Sequence, residues 1–238
     1  QAGVIASVVA APDEVDATSI DSGEAMTANM LRSAATEGLA DGAADQLIGG
    51  LGNMIDANAI VTTALRRRRL QAGVEVDAEA AAAIRRSKAL EKSTGGVGDV
   101  VAGAQVAGEE PKMVAAGKLG LRVGKEYGCA LEGKPFGGAP AGDLPAGNFE
   151  MPPGSLCGGG VTSRRRHLVE VERHGIRMLQ SAGESGEVLQ VGVTAFGTNT
   201  KGAESANETA TPVTSVGFKN ADGSPKKIAN LTTPIRLK

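Results

Sequence analysis

Residues 111–123 read Pro-Lys-Met-Val-Ala-Ala-Gly-Lys-Leu-Gly-Leu-Arg-Val, and the hydrophobic period of the chain changes here. Leu119, Leu121 and Val123 alternate with Gly120 and Arg122, the two-residue period of a half-buried strand. Val169 and Val171 repeat that spacing, as do Val191, Val193 and Ala195. Val213 to Phe218 reads as a further strand, and Asp222-Gly223 is a hairpin turn signal with Ile228 and Ile235 to Leu237 on its return. Gly- and Pro-rich connections separate these runs at residues 133–147, 152–160 and 181–186.

Upstream of this stretch the period is helical. Asp21 followed by Glu24 resembles a capping box, Met26, Met30, Leu31 and Ala34 recur at helical spacing, and Gly38 is a natural stop. Leu47, Ile48, Leu51 and Ile55 form a second stripe, weakened by Gly49, Gly50 and Gly52, which either allow close helix–helix approach or reflect sequence drift. A short helix over 64–70, a fourth begun by Asp77 and running to Leu90, and a fifth around Val97 to Ala104 complete the series. Helices first and antiparallel strands after them define an α+β chain with segregated layers. The division falls at 1–107 and 108–238.

Composition narrows the function classes. Leu, Ile, Val and Phe make up about a fifth of the 238 residues, so the core is thin, aliphatic and rich in alanine. With no Trp, one Tyr and four Phe, a base-stacking surface or an aromatic cage has too few rings to build it. The net charge of −2 gives no basic field for nucleic acid. No uncharged apolar run is long enough to span a bilayer. Gln1 to Pro12 is uncharged and lacks a basic leader, so it reads as a short buried helix, and the start at Gln1 suggests a processed product or a segment of a longer chain.

Candidate chemistry is sparse. Cys129 and Cys157 read either as a disulfide or as two free thiols; a bridge over a loop of this length stabilises by about 3 kcal/mol in the loop-entropy account. The absence of a CxxC spacing excludes a zinc ribbon or redox dithiol. Asn207-Glu208-Thr209 and Asn230-Leu231-Thr232 are N-glycosylation sequons that tilt the chain toward an extracellular setting. On a strand His167 and His174 would face opposite ways and not share a metal, whereas on a helix they would share a face; exposed polar strand ends are the favoured reading, and no cofactor is implied. Arg66 to Arg69 reads as a solvated helix face and Arg164 to Arg166 as a loop. There is no GxSxG, and Ser155 has no credible His and acid partners, so the chain reads as a non-enzyme.

The strand half then acquires a likeness. Gly108-Glu109-Glu110-Pro111 through Gly117-Lys118, Cys129, Phe149-Glu150-Met151-Pro152 and Leu156 resemble the membrane-distal part of a GAIN domain, as found in the large polycystins and egg-jelly-receptor-related proteins. Val213 to Phe218, Ala221-Asp222-Gly223 and Ile228 to Ile235 follow the same family's strand and hairpin rhythm. The resemblance covers 108–238; over 1–105 the helix content and order are compatible with it. It implies a helical subdomain before an antiparallel β-sandwich, and it supports pairing of Cys129 with Cys157.

Two departures limit what it carries over. The family's cleavage triplet is His-Leu-Ser/Thr, whereas His167-Leu168 is followed by Val169, which has no nucleophilic oxygen. The Trp- and Cys-bearing proteolysis motif does not occur before Lys238, so no catalytic residue is transferred. The expected function is a non-enzymatic extracellular module of a polycystin-like cell-surface or ciliary membrane protein, serving as a stalk, adhesion or force-transmitting element. Its implied partners are other segments of the same large protein, a polycystin-2-like channel subunit, or extracellular matrix and filament proteins, on the extracellular face of the plasma or ciliary membrane. The alternative is a structural subunit of an extracellular, flagellar-surface filament or coat.

Overall fold

The computed structural model describes residues 3, 11–40, 42–72, 77–156, 187–197, 213–228 and 235–237. Three long helices come first: α1 (Ala17–Glu37), α2 (Ala43–Ala72) and α3 (Asp77–Ala104). Strands β1 (Lys112–Ala116) and β2 (Leu119–Tyr127) follow, then a one-turn helix, α4 (Gly128–Leu131). The remaining strands are β3 (Pro135–Gly137), β4 (Asn148–Glu150), β5 (Val188–Phe196), β6 (Val213–Asn220) and β7 (Arg236–Leu237). The α+β order with segregated helices and antiparallel strands is therefore the observed one. Helix gives way to strand between Ala104 and Lys112.

The helical stripe decides the packing. Leu47, Ile48, Leu51, Met54 and Ile55 of α2 are buried, as are Leu90, Val97 and Val101 of α3. They form one core with Val114, Leu119, Leu121, Val123 and Phe196 of the sheet. The α2 helix lies over β1 and β2, α3 lies over β2 and β5, and α1 packs on the outer side of the α2–α3 pair. Burying this many aliphatic side chains at roughly 25 cal/mol per Å² is the main stabilising term.

The glycines of α2 do permit a close approach, but to the sheet. A Cβ at Gly52 would stand 2.9 Å from the Ala116 carbonyl oxygen, at the β1–β2 turn. Between helices the tight contacts are at Gly23, against Met54, and at Gly96, against Leu31.

Several helix ends differ from expectation. The first helix starts a turn earlier: Asp16 is its N-cap and its Oδ1 accepts from the Ser19 N–H at 2.7 Å. Asp16 offers the same acceptor as Asp21 and lets Ile20 reach the core. Asp21 instead receives Arg86 Nε at 2.8 Å, and Glu24 accepts from Ser93 Oγ at 3.4 Å. Gly38 ends the helix as predicted, with φ 77° and its N–H donated to Ala34 O. The segment over 64–70 is the end of α2, and Val97 to Ala104 is the end of α3. Tertiary packing carries both helices through their glycines.

The four-stranded sheet has the order β1-β2-β5-β6 and the three-stranded sheet the order β3-β4-β7, all antiparallel. Buried side chains line both faces of the larger sheet along β2 and β5. Leu119, Leu121 and Val123 meet the helices, while Leu189, Val191 and Val193 join Phe136, Phe149 and Met151 of the smaller sheet in a second core. The Phe149 ring lies 5.4 Å from that of Phe136 and 5.5 Å, edge-on, from that of Phe218.

The alternating period does not reach β1, and the glycines and prolines of 133–147 predict a connection, whereas Phe136 seats β3 there. The Asp222-Gly223 turn is present, with Gly223 at φ 84° donating its N–H to Asn220 O at 2.9 Å. Among the described residues its return pairs by the Lys219–Pro225 bridge, and the Lys226 N–H donates to Phe218 O at 2.9 Å. Arg236 and Leu237 pair with β4 in the other sheet.

The carboxylates of this framework respond to pH in opposite senses. Asp222 is held below its ordinary 3.8 by the Ser224 hydroxyl and N–H, so its contribution is present above that pH and lost as pH falls. Burial pushes Glu126 up from 4.5, against the pull of Lys134 and Arg122. A raised carboxyl favours the folded state while protonated, and this contribution is lost as pH rises through and above 4.5. Glu126→Gln is therefore expected to melt higher than the parent at pH 7, with the gap closing below pH 4. Equal melting temperatures at both pH values would contradict this.

Candidate functional site

The first candidate region is the corner at α4. The chain leaves β2 at Tyr127, and the Gly128 N–H donates to Glu187 O at 2.9 Å, which fixes the corner to the approach of β5. Leu131 points into the second core, and Cys129 stands on the same turn. Glu132 then clamps a distant loop: its carboxylate accepts from the Gly154 N–H at 2.8 Å and the Leu156 N–H at 2.5 Å. Leu156 packs against Gly128, where an added Cβ would come within 3.3 Å of the Leu156 Cβ. Residue 156 is thus pinned between positions 128 and 132.

The other predicted sites stand as follows. Cys157, Asn207, Asn230, His167, His174, Arg164 to Arg166, Val169 and Val171 lie outside the described residues, as does most of the segment before Pro12. The Ser155 hydroxyl donates to Pro152 O at 2.7 Å, closing a local turn. Arg67 and Arg68 are exposed on α2. Among the described residues no cluster of His, Cys, Asp and Glu could hold a metal ion, and no helix is long and apolar enough to cross a membrane.

A second region was not anticipated. In an antiparallel ladder directly opposed residues share a face, so Gln190 pairs with Lys219, Gly192 with Gly217 and Thr194 with Ser215 on the helix-facing side of β5–β6. This half of the face is small and polar, whereas the β1–β2 half is aliphatic and covered. The result is a groove of about 170 Å³ between α3 and β5–β6. Gly95, Gly98, Asp99 and Glu91 form its helical wall, and the two cross-strand glycines belong to its floor.

Electrostatics give the groove a direction. Lys219 Nζ is ion-paired with Asp99 and lies at one end. Gln190 is 7% exposed and its Nε2 donates to Ala221 O at 3.2 Å, while its Oε1 has no partner. The sequence did carry a signal: Val191, Val193 and Ala195 alternate with Gln190, Gly192 and Thr194, so the second face of β5 is polar. No family model matches the chain, and neither the curated proteins nor the solved structures contain a match.

Proposed function

We propose that the chain is a non-enzymatic module of a larger extracellular surface protein, built as a helical layer on a small GAIN-like β-sandwich and serving as a stalk, adhesion or force-transmitting element. The observation that carries this reading is the placement of Cys129 on α4 beside the clamped loop at 154–156, because a disulfide made there persists in oxidising compartments. Cys157 is the only other cysteine in the sequence, and the Glu132 clamp and the Leu156–Gly128 contact hold the preceding residue beside α4. A Cys129–Cys157 bridge is the pairing this arrangement favours. The shared core of the two sheets around Phe149 supports the sandwich part of the reading. Glycans at Asn207 and Asn230, a place on the outer face of the plasma or ciliary membrane, and polycystin-like or matrix partners belong to the same proposal.

The test is the intact mass of the source-purified protein with and without glycosidase and reductant, together with a thermal melt under reductant. A mass above 23.9 kDa that falls on deglycosylation, and a melting temperature lowered by about 5 °C or more on reduction, are the expected results. An unmodified, fully reduced species whose melt ignores reductant would overturn the reading.

A further inference from the structure

We propose that the groove between α3 and the β5–β6 ladder is a saccharide-binding subsite that takes one pyranose ring, either as a free monosaccharide or as the terminal unit of a glycan. This goes beyond the module reading and does not rest on it. The case begins with Gln190. Its amide is oriented by the Ala221 carbonyl, because the reverse orientation would set two oxygens against each other. Its Oε1 is left as a buried acceptor without a donor, in a residue that lines the groove. Buried acceptors are almost always satisfied, so this one calls for a donor from outside the described residues.

The surroundings define that donor. Lys219, the cation of the groove, is already paired with Asp99 on the wall. An anion is therefore disfavoured. The hydroxyls of Thr194 and Ser215 both donate and accept, which suits a ligand that does the same. The floor is flat where Gly192 and Gly217 oppose each other, and a Cβ at Gly217 would meet nothing within 4 Å. Leu121, Val123 and Phe196 flank this strip on its apolar side. A pyranose matches both properties: its C–H face lies on the flat strip and its hydroxyl edge reaches the acceptors. Carbohydrate and groove are matched in polarity, since few polar groups converge on a mostly apolar surface.

The experiment titrates the isotope-labelled full chain with the methyl glycosides of mannose, galactose, glucose and N-acetylglucosamine, following the amides of Gly192, Ser215 and Gly217. A glycan array run in parallel separates the two sources. Saturable shifts with a free glycoside identify a monosaccharide site, and array binding alone identifies a glycan terminus; either supports the proposal. Gly217→Val fills the floor from an open position, so it is expected to melt with the parent and to bind at least tenfold more weakly. Ser215→Leu, at an exposed residue, serves the same purpose if the first variant folds poorly. Absence of any glycoside or array signal would overturn the proposal. So would shifts produced by methylammonium but by no glycoside, or binding unchanged in both variants.

Discussion

Replacing Phe149 with alanine is expected to lower the unfolding free energy by about 4 kcal/mol, the range for a fully buried ring cut to a methyl group. Phe149 is 1% exposed and sits on β4, the middle strand of the smaller sheet. Its ring touches Phe136 of its own sheet and Phe218 of the larger one, so it bridges the two layers. The chain has only four phenylalanines, and three of them meet here. Leu, Ile and Val supply most of the remaining core, and removing the central ring leaves Phe136 and Phe218 facing a cavity across which they no longer meet a partner. The total stability of a domain is on the order of 5–15 kcal/mol, so this loss leaves a marginal fold. Phe149→Leu keeps much of the volume and is expected to lose far less. Urea titration of the three proteins reads the difference. A loss below about 1 kcal/mol for the alanine variant would mean that the sheets do not depend on this ring.

The second large effect is expected at Gly120. It lies in β2 on the face away from the helices, opposite Ala195. A Cβ there would fall 2.3 Å from Pro140 O and 2.6 Å from Ala139 O. Both atoms belong to backbone, and Ala139 and Ala141 on either side of Pro140 are buried, so the segment has no room to retreat. Gly120→Val adds three carbons at this point and is expected to cost about 3 kcal/mol, the upper end for overpacking. Gly192→Ala is the control. It stands on the adjacent strand but faces the helices, and its Cβ would meet only Val123 Cγ1, at 3.6 Å. Thermal melts of the two variants should separate clearly. Equal stability would show that residues 138–141 do not cross the sheet at Gly120.

Much of the fold was legible because the signals were local. Leu119, Leu121 and Val123 alternate and form β2; Gly38 stops α1; Asp222-Gly223 turns. The helix lengths were less legible. Gly95 and Gly96 suggest a break, yet Gly96 is where Leu31 of α1 comes closest, and that packing holds α3 continuous. The short strands β3 and β4 escaped notice because three residues cannot show a period. Their existence depends on Phe136 and Phe149 meeting side chains from β5 and β6 far along the chain. The groove escaped for a related reason. Its floor depends on the register of β5 with β6, and register is a property of the pair. Position 129 was singled out from cysteine arithmetic, whereas the role of Glu132 emerges only when the loop at 154–156 is seen against it.

The pairing of β2 with β5 has a kinetic side. It is the central contact of the larger sheet, and it is also its least local one, running from Leu119 with Phe196 to Tyr127 with Val188. The three helices and the β1–β2 hairpin close over short stretches of sequence. The β5 strand must instead be captured after a long excursion that passes through the smaller sheet. Loop-closure entropy and high contact order concentrate the folding barrier in that one capture. The proposed Cys129–Cys157 bridge, if made before β5 arrives, would shorten the excursion. Oxidation would then act on the rate of folding as well as on the stability of the finished molecule.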